Sequence, residues 1–197
     1  MNKIGVLALQ GSFNEHYNAL LKLKLQNNLE IEPLLVRSIN DLNQVNLLII
    51  PGGESTVIRK LLIKSGLFEL IKKRINKDLA VWGTCAGAIL LSSNIISSTK
   101  DQSSFNGIDI TIERNAYGAA QDSFESQIYI QEFGKEIPAV FIRAPKIRSV
   151  SDKVVIMAKT NNENIVAAYK DKCLVTTFHP ELTNDLSFHE YFVKKFS

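Results

Sequence analysis

The run Leu79-Ala80-Val81-Trp82-Gly83-Thr84-Cys85-Ala86-Gly87 passes from an apolar strand through a sharp turn into a helix. A Gly-x-Cys-x-Gly pattern directly after an apolar strand is what a nucleophile elbow requires. The turn holds the nucleophile in a strained backbone conformation with its side chain above the sheet. Gly83 and Gly87, two residues to either side of Cys85, remove Cβ atoms that would clash across so tight a turn. The helix expected over 86–92 turns its positive end toward the sulfur, an arrangement that favours a thiolate. A cysteine kept only for packing needs none of this.

Upstream of the elbow, strands alternate with helices. Residues 4–9 form an almost entirely apolar run closed by Gln10-Gly11, which reads as a buried parallel strand. Tyr17, Leu20, Leu21 and Leu25 fall at helical spacing within 13–26. Residues 34–36 and 47–50 give two more strands. Pro51-Gly52-Gly53 breaks the latter, and Ser55 is placed to cap a helix over 56–64. A further helix is predicted over 67–75. This alternation means a doubly wound, mostly parallel sheet. Beyond Ser92 the texture changes. Strand-like runs occupy 108–113, 124–131, 139–142, 154–159, 165–169 and 174–177. Several are expected to pair antiparallel, for example across Asn161-Asn162, and 185–196 reads as a closing helix. Residues 92–104, polar and serine-rich, are the expected mobile loop. No repeat or linker divides the chain, so one α/β domain over 1–197 is expected.

Composition narrows the function. The chain has 197 residues, enough for one domain with a real core. Its 45 % hydrophobic and 22 % charged residues are ordinary for a globular protein. Net charge is only +3 with scattered basic residues, so no nucleic-acid footprint stands out. No segment is apolar for long enough to span a bilayer. The first strand begins almost at Met1, which leaves no room for a cleavable leader, and the expected location is the cytoplasm. Two cysteines do not make a disulfide scaffold, and two cysteines with three unclustered histidines make a metal site unexpected.

A cysteine nucleophile needs a base. His179 follows the apolar run 174–178 in Phe178-His179-Pro180-Glu181, where an open α/β sheet gathers its ligands. Residues 179 and 181 project to one side of an extended segment. Glu181 can then hold one imidazole nitrogen and leave the other for Cys85, as the third member of a triad does. His16 and His189, in predicted helices near the chain ends, are assigned to structure, and Cys173 to packing. The second element is Pro51-Gly52-Gly53-Glu54-Ser55-Thr56. A backbone N–H at Gly53, with that of Ala86, would form an oxyanion hole. A nucleotide site is a weak reading, because no Gly-Lys-Ser/Thr and no Gly-x-Gly-x-x-Gly is present.

Together these motifs resemble the class I, triad-type glutamine amidotransferases. More narrowly, the chain resembles the glutaminase subunits of pyridoxal 5′-phosphate synthase, the PdxT/SNO family. The resemblance rests on residues 5–11 (Gly-Val-Leu-Ala-Leu-Gln-Gly), 51–56, 83–87, 114–118 (Arg-Asn-Ala-Tyr-Gly), Ser123-Phe124-Glu125, 141–145 (Phe-Ile-Arg-Ala-Pro) and 177–182. It implies a three-layer, flavodoxin-like fold with a mostly parallel central sheet, helices on both faces and an added antiparallel portion. It implies that Cys85 attacks the side-chain amide of glutamine, that His179 and Glu181 manage the proton, and that a γ-glutamyl thioester is hydrolysed. It places glutamine against Gly53, Glu54, Ser55, Arg114, Ile142 and Arg143, and Gln10 near the oxyanion loop and the partner interface. Guanidinium groups also make independent sense as clamps for an α-carboxylate. The implied partner is a (β/α)8-barrel synthase subunit in a large heteromeric complex. Pyridoxal 5′-phosphate is then a product and not a cofactor of this chain. The family's pattern has Arg-Gln where this chain has Ala119 and Ala120, which removes a charge and an amide and leaves the triad untouched. Two other readings remain open from the residues: another elbow-cysteine hydrolase, acting on γ-glutamyl compounds or protein, and a non-catalytic regulatory subunit.

Overall fold

A computed structural model describes residues 2–27, 29–75, 77–96, 103–114 and 123–197. The first half alternates as expected: β1 (Asn2–Leu7), α1 (Phe13–Asn27), β2 (Ile31–Val36), α2 (Ile39–Leu42), β3 (Leu47–Ile50), α3 (Ser55–Lys64), α4 (Leu67–Arg74), β4 (Ala80–Thr84) and α5 (Ala86–Leu91). The second half is rich in strands: β5 (Ser92–Ile96), β6 (Ile108–Glu113), β7 (Ser123–Ile130), β8 (Lys135–Ile142), β9 (Lys146–Val150), β10 (Val155–Lys159), β11 (Ile165–Lys170) and β12 (Cys173–Thr176). A 3-10 turn, Pro180–Leu182, and α6 (Ser187–Phe196) close the chain.

The main sheet runs β2-β1-β3-β4-β12-β11-β9-β6-β5, with β10 also paired to β11. From β2 to β12 all neighbours are parallel. From β12 through β11 and β9 to β6 they are antiparallel, and β5 returns to parallel beside β6. The hairpin expected across Asn161-Asn162 is β10–β11. β7 and β8 form a separate antiparallel ribbon.

Alternation along the central strands sends side chains to two cores. In β3, Leu48 and Ile50 join one, and Leu47 and Ile49 the other. The first core packs α3, α4 and α5 through Ile58, Leu62, Phe68, Ile71 and Ile89. The second packs α1, α6 and the β7–β8 ribbon through Leu20, Leu23, Phe188, Phe192, Ile128 and Phe141, around Trp82. This is the layered α/β arrangement that the sequence pattern predicts, with apolar strands buried on both faces.

Several local expectations change. The buried face of α1 is His16, Ala19, Leu20 and Leu23, whereas Leu25 is 81 % exposed. A histidine at the centre of that face shifts the true stripe away from the one that hydrophobicity alone picks out. Glu54, rather than Ser55, caps α3: its carboxylate accepts from Thr56 N and Thr56 Oγ1, while Ser55 is buried as the first helical residue. Ser92–Ile96, expected to be a mobile loop, is a strand held on β6; Ile95 packs on the first core and Ser92 Oγ donates to Ile89 O. Residues 97–102 of that segment lie outside the described residues. The short helix α2 is built by a capping box between Ser38 and Asp41, a local signal that the apolar pattern does not carry.

The elbow is as tight as its glycines require. Cys85 has φ 46°, a left-handed value uncommon for a side-chain-bearing residue. A Cβ on Gly83 would collide with the backbone of Gly87, and one on Gly87 with the carbonyl oxygen of Ile50. Gly87→Ala is therefore expected to cost about 2 kcal/mol or more through overpacking. A lowered urea midpoint checks this; an unchanged midpoint rejects the close approach.

Candidate active site

The parallel strands all end at one edge of the sheet, and the functional segments leave from there. β4 and β12 are neighbours with Thr84 opposite Thr176. The next residue after β4 is Cys85, whose N–H donates to Thr176 O at 2.8 Å. Three residues after β12 comes His179, fixed by its own N–H to Val140 O at 2.8 Å. The loop after β1 brings Gln10 and Ser12, and the loop after β3 brings Gly53 and Glu54.

His179 Nδ1 is 2.8 Å from Glu181 Oε1, so the carboxylate accepts the Nδ1 proton and leaves Nε2 for the hydrogen bond with Cys85. Ser12 Oγ donates to the same Glu181 oxygen at 2.6 Å. Ser12 was not anticipated; nothing in its residue type separates it from any other turn serine. Burial of His179 on its own lowers its pKa, but the hydrogen bonds with Cys85 and Glu181 and their charges override this and raise it to about 10. Burial of Glu181 on its own raises its pKa; His16, the hydrogen bond and charge of His179, and the Ser12 hydroxyl together bring it down to about 2. A protonated imidazole held against an ionised carboxylate is the resting arrangement.

Cys173 is a useful contrast. It is fully buried in β12, and burial pushes its thiol up to about 12, which removes it as a nucleophile.

In front of Cys85 opens a cavity of about 310 Å³ lined by Gln10, Gly53, Glu54, Ser55, Cys85, Ala86, Ile89, Arg114, Ile142, Arg143 and His179. Every candidate residue from the sequence lies on this wall except Glu181, which stands behind His179. Ile89, one turn into α5, is the lining residue that was not foreseen. Arg114 Nη2 pairs with Glu54 Oε1 at 3.0 Å. Gln10 Oε1 accepts the Glu54 N–H at 2.9 Å and so holds the glycine loop from the side of β1. Arg143 has φ 42°, a second strained residue at the rim. Ala86 N–H opens α5, where no carbonyl of the helix can satisfy it. The departures at Ala119 and Ala120 lie outside the described residues, as does 115–118 of the Arg-Asn-Ala-Tyr-Gly block.

A thiol on an elbow, backed by an imidazole and a carboxylate, on a cavity that two arginines help to line, fits the glutamine amidotransferases. The crystal structure of a glutamine amidotransferase aligns with a TM-score of 0.87 at 38 % identity, covering 97 % of each chain. A chain of PurLQS from Thermotoga maritima shares the fold at a TM-score of 0.67 and 13 % identity, covering 100 % of this chain and 99 % of its own. The particular family follows from sequence: a model of the SNO glutamine amidotransferase family matches residues 6–197, and the chain belongs to that family. Among its relatives, the pyridoxal 5′-phosphate synthase subunit PdxT of Clostridium acetobutylicum is 45 % identical over 193 residues, 98 % of this chain and 99 % of the relative. The protein of the same name from Carboxydothermus hydrogenoformans is 46 % identical over 194 residues, 98 % of this chain and 97 % of the relative.

The buried imidazoles set an acid limit on stability. Burial lowers the pKa of His189 to about 3, so folded His189 stays neutral while the unfolded chain takes up a proton below pH 6.5. A depressed pKa gives stability that is present above the unfolded value and lost as pH falls. Between pH 6.5 and 5 this loss is about 2 kcal/mol for one imidazole. Glu181 and His179 do not contribute over that window, because the shift of Glu181 acts below about 4.5 and that of His179 above about 6.5. Urea midpoints should fall over this interval, and His189→Leu should flatten the slope; an equal slope in the variant rejects a neutral, buried His189.

Proposed function

We propose that this chain hydrolyses L-glutamine to L-glutamate and ammonia as the glutaminase subunit of a pyridoxal 5′-phosphate synthase. The observation that carries the reading is the cavity that brings Cys85 and His179 together with Arg114, Arg143 and Glu54. Its two guanidiniums and one carboxylate match the two charges of an α-amino acid. The α-carboxylate pairs with the arginines and the α-ammonium with Glu54, so the zwitterion replaces the Arg114–Glu54 ion pair without leaving either partner unpaired.

With glutamine so held, its side-chain amide reaches the elbow. The thiolate of Cys85 attacks the amide carbon, and the oxyanion that forms is met by the N–H groups of Ala86 and Gly53. The imidazolium of His179 gives its Nε2 proton to the leaving nitrogen; the C–N bond breaks and ammonia departs. A γ-glutamyl thioester remains on Cys85. His179, now neutral, takes a proton from the water that attacks the thioester; the C–S bond breaks, the γ-carboxylic acid leaves and ionises to glutamate, and Cys85 returns as the thiolate beside the imidazolium. Glu181 keeps Nδ1 protonated throughout, which fixes the tautomer that leaves Nε2 to exchange the proton.

The relatives named as synthase subunits support a partner. On this reading the ammonia passes to a separate (β/α)8-barrel synthase subunit in a cytoplasmic heteromeric complex. Pyridoxal 5′-phosphate is the product of that complex and not a cofactor of this chain. Coupling to a partner makes chemical sense, because ammonia released to water protonates and loses its nucleophilicity. No helix among the described residues is long and apolar enough to cross a membrane.

The test is glutamine hydrolysis with and without added synthase subunit. Wild type should turn over glutamine when the partner is present, and His179→Asn should lower kcat by about a thousandfold or more while partner binding persists. Turnover of γ-glutamyl peptides in place of glutamine would overturn the reading. Arg143→Ala should raise KM for glutamine about tenfold while kcat changes less than about threefold. An unchanged saturation curve would remove Arg143 from the clamp.

A further inference from the structure

Behind Glu181 lies a second group of polar side chains that the reaction above does not use. His16 in the first turn of α1 and His189 in α6 are both fully buried. His16 Nδ1 is 2.9 Å from His189 Nε2. The other nitrogen of His16, Nε2, faces two oxygens: Thr84 Oγ1 at 3.1 Å and Glu181 Oε2 at 3.3 Å. Thr84 is the last residue of β4 and immediately precedes Cys85. The ring of Trp82 packs edge-on against both imidazoles, with centroids 5.5 Å from His16 and 5.0 Å from His189. His16 therefore bridges the strand that carries the nucleophile and the carboxylate that orients the base.

The chemistry of the acceptors fixes the protons. An ionised Glu181 oxygen 3.3 Å away would repel a bare lone pair, so His16 Nε2 carries hydrogen and donates it to Thr84 Oγ1. Burial lowers the pKa of His16 and keeps it neutral, so its Nδ1 is bare and accepts from His189 Nε2–H. His189 Nδ1 is then a bare lone pair, and it has no hydrogen-bond partner. The network thus ends on a lone pair rather than on a stranded N–H. The charged and titratable groups that act on His16 are Glu181 in the 3-10 turn, His179, His189 on α6 and Glu15 on its own helix.

We propose that His16 is a positioning residue for the triad: hydrogen-bonded to Thr84 at the end of the nucleophile strand, its Nε2 stands 3.3 Å from the second oxygen of Glu181 and restrains that oxygen electrostatically. Oε1 of Glu181 serves both Ser12 and His179, whereas Oε2 has no hydrogen-bond partner and is approached by His16 Nε2 at 3.3 Å. A carboxylate held by one oxygen pivots about its terminal bond and releases His179 from its alignment with Cys85. The contact from His16 removes that freedom. His16 is not on the cavity wall, so it acts through Glu181 and touches no substrate. The role rests on the glutaminase reading for its effect on turnover, but its geometry does not.

Two polar substitutions separate the contacts. In His16→Gln the side-chain amide reaches the place of Nε2 and keeps a donor toward Glu181; in His16→Asn it reaches only the place of Nδ1, toward His189. Glutamine hydrolysis is measured with the synthase subunit present, and alkylation of Cys85 by iodoacetamide is followed by intact mass in the isolated chain, where Cys173 is buried. His16→Asn should lower kcat about tenfold to a hundredfold with KM within about twofold, and His16→Gln should stay within about threefold of wild type. Alkylation rates should follow the same order. Equal activity of both variants, whether retained or lost, overturns the proposal. If no protein hydrolyses glutamine yet alkylation keeps that order, the glutaminase reading fails and the positioning role stands. Should His16→Asn not fold, Thr84→Val replaces it: removing the hydroxyl that accepts the Nε2–H should lower kcat about threefold to tenfold at constant KM. No change in that variant overturns the proposal.

Discussion

The negative charge of Glu181 sits where no water reaches it, for its side chain has no solvent exposure. An isolated carboxylate so placed costs several kcal/mol and would take up a proton instead. It stays ionised because three chain segments converge on it: Ser12 from the loop after β1, His16 from α1, and His179 two residues before it. The requirement runs in both directions. The carboxylate needs these neighbours to remain charged, and His179 needs the carboxylate to remain an imidazolium with Nδ1 protonated. Breaking one link leaves a buried polar group without a partner, so the site behaves as a unit rather than as a sum of contacts.

Sheet order is what makes such convergence possible. Cys85 and His179 are far apart in sequence, yet β12 is inserted directly beside β4 with Thr176 opposite Thr84. The chain leaves both strands at the same edge, and the Cys85 N–H to Thr176 O hydrogen bond carries the pairing one residue past the strand end. β3 on the other side of β4 delivers Gly53 and Glu54 to that edge, and β1 beyond it delivers Gln10 and Ser12. Open parallel sheets collect their ligands at the carboxyl ends of the strands for this geometric reason. The antiparallel half contributes Ile142 and Arg143 from the end of β8, and so closes the wall opposite the glycine loop.

Much of this was legible in the sequence because the signals are local. An apolar run before Gly-x-Cys-x-Gly gives a strand and an elbow, and a histidine two residues before a glutamate gives a base and its orienting group. Those patterns, with the glycine loop, located Gly53, Cys85, Ala86 and His179, whereas Gln10, Glu54, Ser55, Arg114, Ile142 and Arg143 of the wall came from the family resemblance. What the sequence hid is non-local. Ser12 looks like any turn serine until the fold places it 2.6 Å from a carboxylate. His16 interrupts the apolar stripe of α1, and a reading by hydrophobicity moved the buried face toward Leu21 and Leu25, which are exposed. Its burial is explained only by Glu181, Thr84 and His189, which arrive from distant parts of the chain. β5 was obscured in the same way: two serines and an asparagine at its start mask the β-branched Ile95 and Ile96 that hold it on β6.

Strain at the pocket follows from the same packing. Cys85 at φ 46° and Arg143 at φ 42° each occupy backbone states that cost about 1–3 kcal/mol for residues with a side chain. Neither persists unless its surroundings leave no alternative. For Cys85 the surroundings are on the page: every residue of α5 is buried, β4 is buried throughout, and the two are joined by this single residue. Relaxing its φ would move α5 out of the first core and forfeit the packing of Ile89, Leu90 and Leu91. A buried leucine or isoleucine contributes about 1.5–3 kcal/mol, so the three together exceed the strain at the elbow. The nucleophile is thus held in place by hydrophobic burial on the far side of the helix it begins, while its partner His179 is held by a buried charge. One side of the site is fixed by apolar packing and the other by electrostatics, and the β4–β12 pairing ties the two together.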